Sequence, residues 1–255
     1  MFTATANFGD FAVHVFSAQG SEHPNQDRWL VYPSSDNALR VAVIDGVTPW
    51  RNELVPGGDS GQFAASVVVS NLLLPLPIEE AFRRANRELF NPVLNPGARQ
   101  TMAAGVAVDV SQKMGWLNCS GLVAADCEWW VSEDRSPYVH LFVGGEARTE
   151  EALEAARQRA LEEPVADDFD SRRLRESEDF TDLSSFHRHA IGRCETPRFT
   201  AGEGHFNSIV LASDGARLGD APKVSADPEV LWSWLDHMEN QFPRDDFTVI
   251  SVRLG

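Results

Sequence analysis

The chain has 255 residues, 43% hydrophobic and 24% charged, with 22 Lys and Arg against 38 Asp and Glu and a formal net charge of −16. That length can bury a sizeable core. The acidic balance argues against a nucleic-acid partner, whose phosphates require a basic stripe. No run reaches the roughly 18 apolar residues of a membrane span, and no basic segment followed by an apolar core opens the chain. Cys119, Cys127 and Cys194 lack metal-finger spacing and leave one thiol over in any disulfide scheme. A cytoplasmic protein with no membrane partner is the expectation.

In chain order, Phe11–Phe16 and Arg28–Tyr32 are expected strands, rich in β-branched and aromatic residues. Arg40–Ile44 is apolar on both faces after its first residue and reads as a central strand. Pro56-Gly57-Gly58-Asp59 interrupts, and Asp59 or Ser60 caps a helix running to Leu73. A second helix follows Pro77, with Ala81, Phe82, Ala85 and Leu89 on one face, and stops before Pro92. Next come strands over Thr101–Val110, Gly115–Val123, Cys127–Val131 and Tyr138–Val143, whose short connections predict antiparallel hairpins. Glu150–Glu163 is strongly helical in composition and Asp167–Asp182 is charged. Together they suggest a flap at about 146–190 within a single 1–255 domain. Ser208–Ser213 and Phe247–Leu254 are strands again, separated by a helix over Pro228–Gln241. Strands in clusters, interleaved with helices, predict an α+β fold of two packed antiparallel sheets flanked by helix pairs.

Two of these strands end alike. Leu39–Gly46 and Ser208–Gly215 are each an apolar run closing in Asp-Gly, at Asp45-Gly46 and Asp214-Gly215. A carboxylate at a strand end, followed by a glycine turn, projects beyond the sheet rim. Side by side, two such groups repel unless a cation lies between them. Asp245, at the start of the last strand, meets Asp214 and Asp45 at one rim if its strand is their antiparallel neighbour. Asp126 in Ala125-Asp126-Cys127 and Asp27 in Asn25-Gln26-Asp27 are further candidates. All-oxygen donors suit Mg²⁺ or Mn²⁺. Two such ions, about 4 Å apart and sharing a hydroxide, would hydrolyse phosphomonoesters. A lone Asp-Gly is most often only a turn; the joint pattern carries the inference.

From Asn25 to Leu254 the order of motifs resembles the metal-dependent protein phosphatases, the protein phosphatase 2C type. Asn25-Gln26-Asp27, Val43-Ile44-Asp45-Gly46, the small-residue stretch Gly61–Ser66, Gln100–Ala104, Ala125-Asp126-Cys127, Ala190-Ile191-Gly192, Leu211–Gly215 and Asp245-Asp246-Phe247-Thr248 are similar to that family's successive elements. The resemblance implies two packed antiparallel sheets with flanking helix pairs. It also implies a serine/threonine phosphatase that uses a hydroxide bridging two Mn²⁺ or Mg²⁺ ions, and a phosphorylated protein as substrate. Asp45 would bridge both ions and the Gly46 carbonyl would bind one. Asp214 and Asp245 would complete the other, Asp27 would hold a water, and Asp126 would serve a third, weaker ion.

Some positions depart from the family. Glu22 stands where its phosphate-binding arginine is usual, and Ala125-Asp126-Cys127 where Gly-Asp-Ser is usual. Arg28 or Arg51 is a substitute guanidinium, although a surface position is the plainer reading of each; His23 is a candidate general acid. Glu22 keeps two alternatives open, a catalytically weak or inactive phosphatase-like binding module and a phosphatase for a small metabolite. In a strand, Trp129 and Trp130 place one ring in and one out, and Cys127 reads as a buried structural thiol.

Overall fold

The computed structural model describes residues 1–20, 25–35, 37–46, 54–55, 58–90, 102–144, 190–192, 199–216, 218–221, 223–241 and 246–255. The strands are β1 (Phe2–Phe8), β2 (Phe11–Ala18), β3 (Arg28–Ser35), β4 (Ala38–Gly46), β5 (Leu54–Val55), β6 (Gly58–Asp59), β7 (Ala103–Lys113), β8 (Trp116–Ala124), β9 (Glu128–Ser132), β10 (His140–Gly144), β11 (Thr200–Phe206), β12 (Ser208–Ala212) and β13 (Phe247–Leu254). The described α-helices are α1 (Ser60–Leu72), α2 (Ile78–Phe90) and α3 (Pro228–Gln241). The expected helix over Glu150–Glu163, and the flap segment as far as residue 189, lie outside the described residues.

A six-stranded sheet in the order β1-β2-β13-β12-β9-β10 packs on a five-stranded sheet in the order β11-β8-β7-β4-β3, and every described pairing within them is antiparallel. Period-two alternation builds the layers. On β4, Leu39, Val41 and Val43 enter the core between the sheets, while Ala42 and Ile44 pack with Ala64, Val68, Leu72 and Phe82 of α1 and α2. On β12, Ile209 and Leu211 face the inter-sheet core, and Val210 and Ala212 pack with Leu231 and Leu235 of α3. This is the predicted sandwich, with a helix pair on one sheet and α3 on the other.

The alternation also explains Trp129 and Trp130. They do point to opposite faces, but each face is covered, so both are buried. Trp129 sits edge-on to Phe142 and Phe206, with ring centroids 5.2 and 6.1 Å away, and Trp130 joins the α3 layer and donates Nε1–H to Glu128 at 2.7 Å.

Two expectations are corrected. The Ala124–Asp126 connection is no hairpin: β8 lies in the five-stranded sheet and β9 in the other, so the chain crosses the sandwich there. Ala125 takes φ +59° at the crossing, a left-handed conformation that carries strain for any residue with a Cβ. Similarly, β4 and β12 are not side by side but belong to opposite sheets. Two edge strands, β1 and β11, have no counterpart in the sequence reading.

Candidate active site

One rim of the sandwich gathers most of the predicted acids. β3 and β4 pair up to Arg28–Ile44, so Asp27 and Asp45 stand at adjacent strand ends. Asp45 itself pairs with Ala104 of β7. Asp126 lies on the β8–β9 crossing. Asp214 opens a short 3-10 turn two residues beyond β12. Cys127 reports their convergence: its thiol is driven well above the usual range by burial first, then by the charges of Asp45, Asp126, Asp214 and Asp27. Four carboxylates from both sheets thus act on one buried sulfur.

Asp27 and Asp126 are both buried, each 5% exposed. Ser213 donates its hydroxyl to Asp27 Oδ2 at 2.9 Å, while Asp27 Oδ1 is buried without a hydrogen-bond partner. Burial pushes the Asp27 carboxyl from the ordinary 3.8 to about 7; hydrogen bonds from Ser213 and Thr248 pull it down, and the charges of Asp246 and Asp214 push it up. A buried acceptor atom with no donor favours a cation beside it.

The backbone around Asp27 is held from several directions. Asn25 donates Nδ2–H to Ser17 Oγ and to the Ala18 carbonyl, both at 3.2 Å, and its Oδ1 accepts the Asp27 N–H at 2.8 Å. Gln62 of α1 donates to the Asn25 carbonyl at 3.1 Å. Arg28, far from being a free surface cation, turns Nη1 onto the Asn25 and Asp27 carbonyls at 3.1 and 2.7 Å. Asp246 was not singled out from sequence, yet its two carboxylate oxygens accept the Gly20 and Gln26 N–H groups at 2.6 and 2.7 Å, clamping the chain entering the site to the start of β13.

Gly46 ends β4 against the first turn of α1. A Cβ there would collide with the Gly61 carbonyl and come within 3.0 Å of the Gln26 carbonyl, so only glycine lets strand and helix meet this closely. Across the rim, Ile191 exchanges two backbone hydrogen bonds with Ala103, at 3.0 and 2.8 Å, and the Gly192 N–H donates to buried Asn86 of α2 at 2.7 Å.

Among the described residues, no three His, Cys, Asp or Glu side chains form a ready cluster for an ion. Asp245, Glu22, His23 and Arg51 lie outside the described residues. Also among the described residues, no helix is long and apolar enough to cross a membrane.

The two sheets and their helix layers give this chain the fold of the metal-dependent protein phosphatases. No family model and no curated protein matches the sequence, so the likeness is one of structure. A structure of PppA, described as a key regulatory component of T6SS in Pseudomonas aeruginosa, is similar with a TM-score of 0.64 and 15% identity, over 99% of this chain and 100% of that one. The S. agalactiae serine/threonine phosphatase gives 0.65 and 13%, over 96% and 100%. RsbX in complex with magnesium gives 0.61 and 8%, over the whole of both chains.

Proposed function

We propose that this chain is a metal-dependent phosphomonoester hydrolase acting on phosphoserine or phosphothreonine in proteins. The observation supporting this most strongly is that Asp27, Asp45, Asp126 and Asp214, from both sheets of this fold, all lie near enough to buried Cys127 for their charges to raise its thiol. The donors fit hard divalent ions: carboxylate and carbonyl oxygens, with one Asp27 oxygen unpartnered and buried. Asp45, the Gly46 carbonyl, Asp214 and Asp245 would hold two Mn²⁺ or Mg²⁺ ions, with Asp126 serving a third. Bound there, the ions would acidify water and neutralise charge on the phosphoryl oxygens.

The chain's own residues do the positioning. Ser213 and Asn25 fix the Asp27 carboxylate and its backbone, so that Asp27 can orient water and hold its proton. The Gly46–Gly61 contact sets how far the β4 end projects. Asp246 holds Gly20 and Gln26 against the start of β13. The test is hydrolysis of p-nitrophenyl phosphate and of a phosphothreonine peptide with added Mn²⁺. Activity should disappear with EDTA and fall at least 100-fold in Asp45→Ala and Asp214→Ala; activity surviving all three would overturn the reading.

Arg28 supports a second reading. With Nη1 engaged by two carbonyls, it is poorly placed to replace the phosphate-binding arginine, which favours a phosphatase-like module that binds a phosphorylated partner with slow or no turnover. Tight phosphopeptide binding without Mn²⁺-dependent release of phosphate would select it. Turnover of sugar or nucleotide phosphates in preference to phosphopeptides would instead select a metabolite phosphatase.

A further inference from the structure

Strand β1 is the outer strand of the six-stranded sheet, and among the described residues nothing pairs with its free edge. An open edge presents a row of unpaired N–H and C=O groups, and proteins normally blunt it with charge, proline, a bulge or irregular backbone. The other three edges of the two large sheets follow that rule. β3 contains Pro33 and a register shift between Pro33 and Ser35. β10 shifts register between Leu141 and Val143. β11 carries Glu203 and His205 between and beside two glycines. β1 has none of these devices. Its seven residues pair with β2 in seven consecutive steps without a shift, and none is charged or proline.

The sequence of β1 is also close to a palindrome. Phe2-Thr3-Ala4-Thr5-Ala6-Asn7-Phe8 reads almost alike in both directions about Thr5. Under an antiparallel two-fold axis through Thr5, Phe2 lies opposite Phe8 of a second copy, Ala4 opposite Ala6, and Thr3 opposite Asn7. Aromatic, small and polar residues then meet their own kind, the favourable cross-strand pairs of an antiparallel sheet. A chain of net charge −16 repels its own copies over most of its surface, and a neutral strip is where that repulsion is least. Phe2 adds an anchor at the end of the edge: it is 52% exposed and stacks on Trp29 with centroids 6.2 Å apart, leaving an aromatic face for the opposing strand to cover.

We propose that β1 is a self-association edge, through which two copies of this chain pair antiparallel about Thr5 and join their six-stranded sheets into one of twelve strands. The pairing is isologous and closed, so it stops at a dimer.

Sedimentation velocity of the full chain at about 100 μM should show twice the 28.2 kDa chain mass, and hydrogen exchange across residues 2–8 should slow as concentration rises. The double variant T3K/N7K places lysine opposite lysine at both symmetric positions and should raise the dimer dissociation constant about tenfold or more. T3E/N7K places glutamate opposite lysine and should restore association. The circular-dichroism melt of each variant separates lost pairing from lost folding. A monomeric wild-type chain, a dimer whose β1 exchange is independent of concentration, a folded T3K/N7K that still dimerises, or a folded T3E/N7K that stays monomeric would each overturn the proposal.

Discussion

Ser213 and Asp27, 186 positions apart in the chain, share a buried hydrogen bond of 2.9 Å between the serine hydroxyl and Oδ2. The same serine Oγ accepts the Thr248 N–H at 2.9 Å, and its own N–H donates to the Thr248 carbonyl at 3.0 Å. One hydroxyl therefore ties the ends of β12 and β13 to the carboxylate that precedes β3. Ser213→Ala removes the donor, leaving the Thr248 N–H without its acceptor and Asp27 with one hydrogen bond fewer. A loss of about 1–3 kcal/mol in stability is expected. The Asp27 pKa should rise further, because a hydrogen bond to the charged form is gone. Urea unfolding and a carboxyl-resolved NMR titration read the two effects.

Asp27 also predicts how stability depends on pH in the absence of divalent ions. Its folded-state pKa is raised from 3.8 to about 7, so between those values the native chain holds a proton that the unfolded chain has released. Stability must then fall as pH rises through this window, by up to about 1.4 kcal/mol per pH unit, and level off above pH 7. Asp27→Asn, which is neutral at every pH, should abolish that component. Saturating Mn²⁺ should flatten it too, because a nearby cation favours the carboxylate. Unfolding curves from pH 5 to 8, with and without Mn²⁺ and with the variant, provide the check. A component that persists in Asp27→Asn belongs to another group.

Gly46→Ala tests the strand–helix contact. The added methyl collides with the Gly61 carbonyl, which is backbone and cannot rotate away. Either α1 moves off the sheet or the end of β4 retreats, at a cost of about 1–3 kcal/mol. For a chain of this size that lowers the melting temperature by roughly 2–4 °C per kcal/mol. Because Asp45 is the preceding residue, Mn²⁺ affinity should weaken even in the fraction that folds, and calorimetric titration against the wild type measures it.

These residues differ in how plainly the sequence announced them. Asp45 and Asp214 are legible because an apolar run ending in Asp-Gly has few physical readings; Asp45 lies at the end of β4, whereas Asp214 falls two residues beyond β12, in a 3-10 turn. That their strands lie in opposite sheets was not legible, since side-chain pattern says which face is buried but not which sheet a strand joins. The short β8–β9 connection reads as a hairpin for a related reason: the crossing takes a left-handed backbone at Ala125, a conformation that alanine does not advertise. β1 and β11 carry little sequence signal because edge strands need no continuous apolar face; threonine and alanine dominate one, and glycines punctuate the other. Ser213 carries no motif that marks a serine as a bridge between strand ends.

Asp246 offers a sharper test, because its carboxylate holds two separate backbone groups. Here each carboxylate oxygen accepts a separate backbone N–H, from Gly20 and Gln26. A side-chain amide has only one acceptor oxygen, so Asp246→Asn must turn its NH₂ toward one of those N–H groups. Losing one charge-assisted hydrogen bond and burying two opposed donors should cost about 1.5–3 kcal/mol. The loosened segment is the one that carries Asn25 and Asp27 into the site, so Mn²⁺-dependent turnover should fall with little change in the melting of the remote α3 layer. Hydrogen exchange resolves the two regions. Faster exchange confined to residues 18–20 and 25–27 is the expected result, whereas uniform acceleration would mean that Asp246 supports the whole fold and not this clamp.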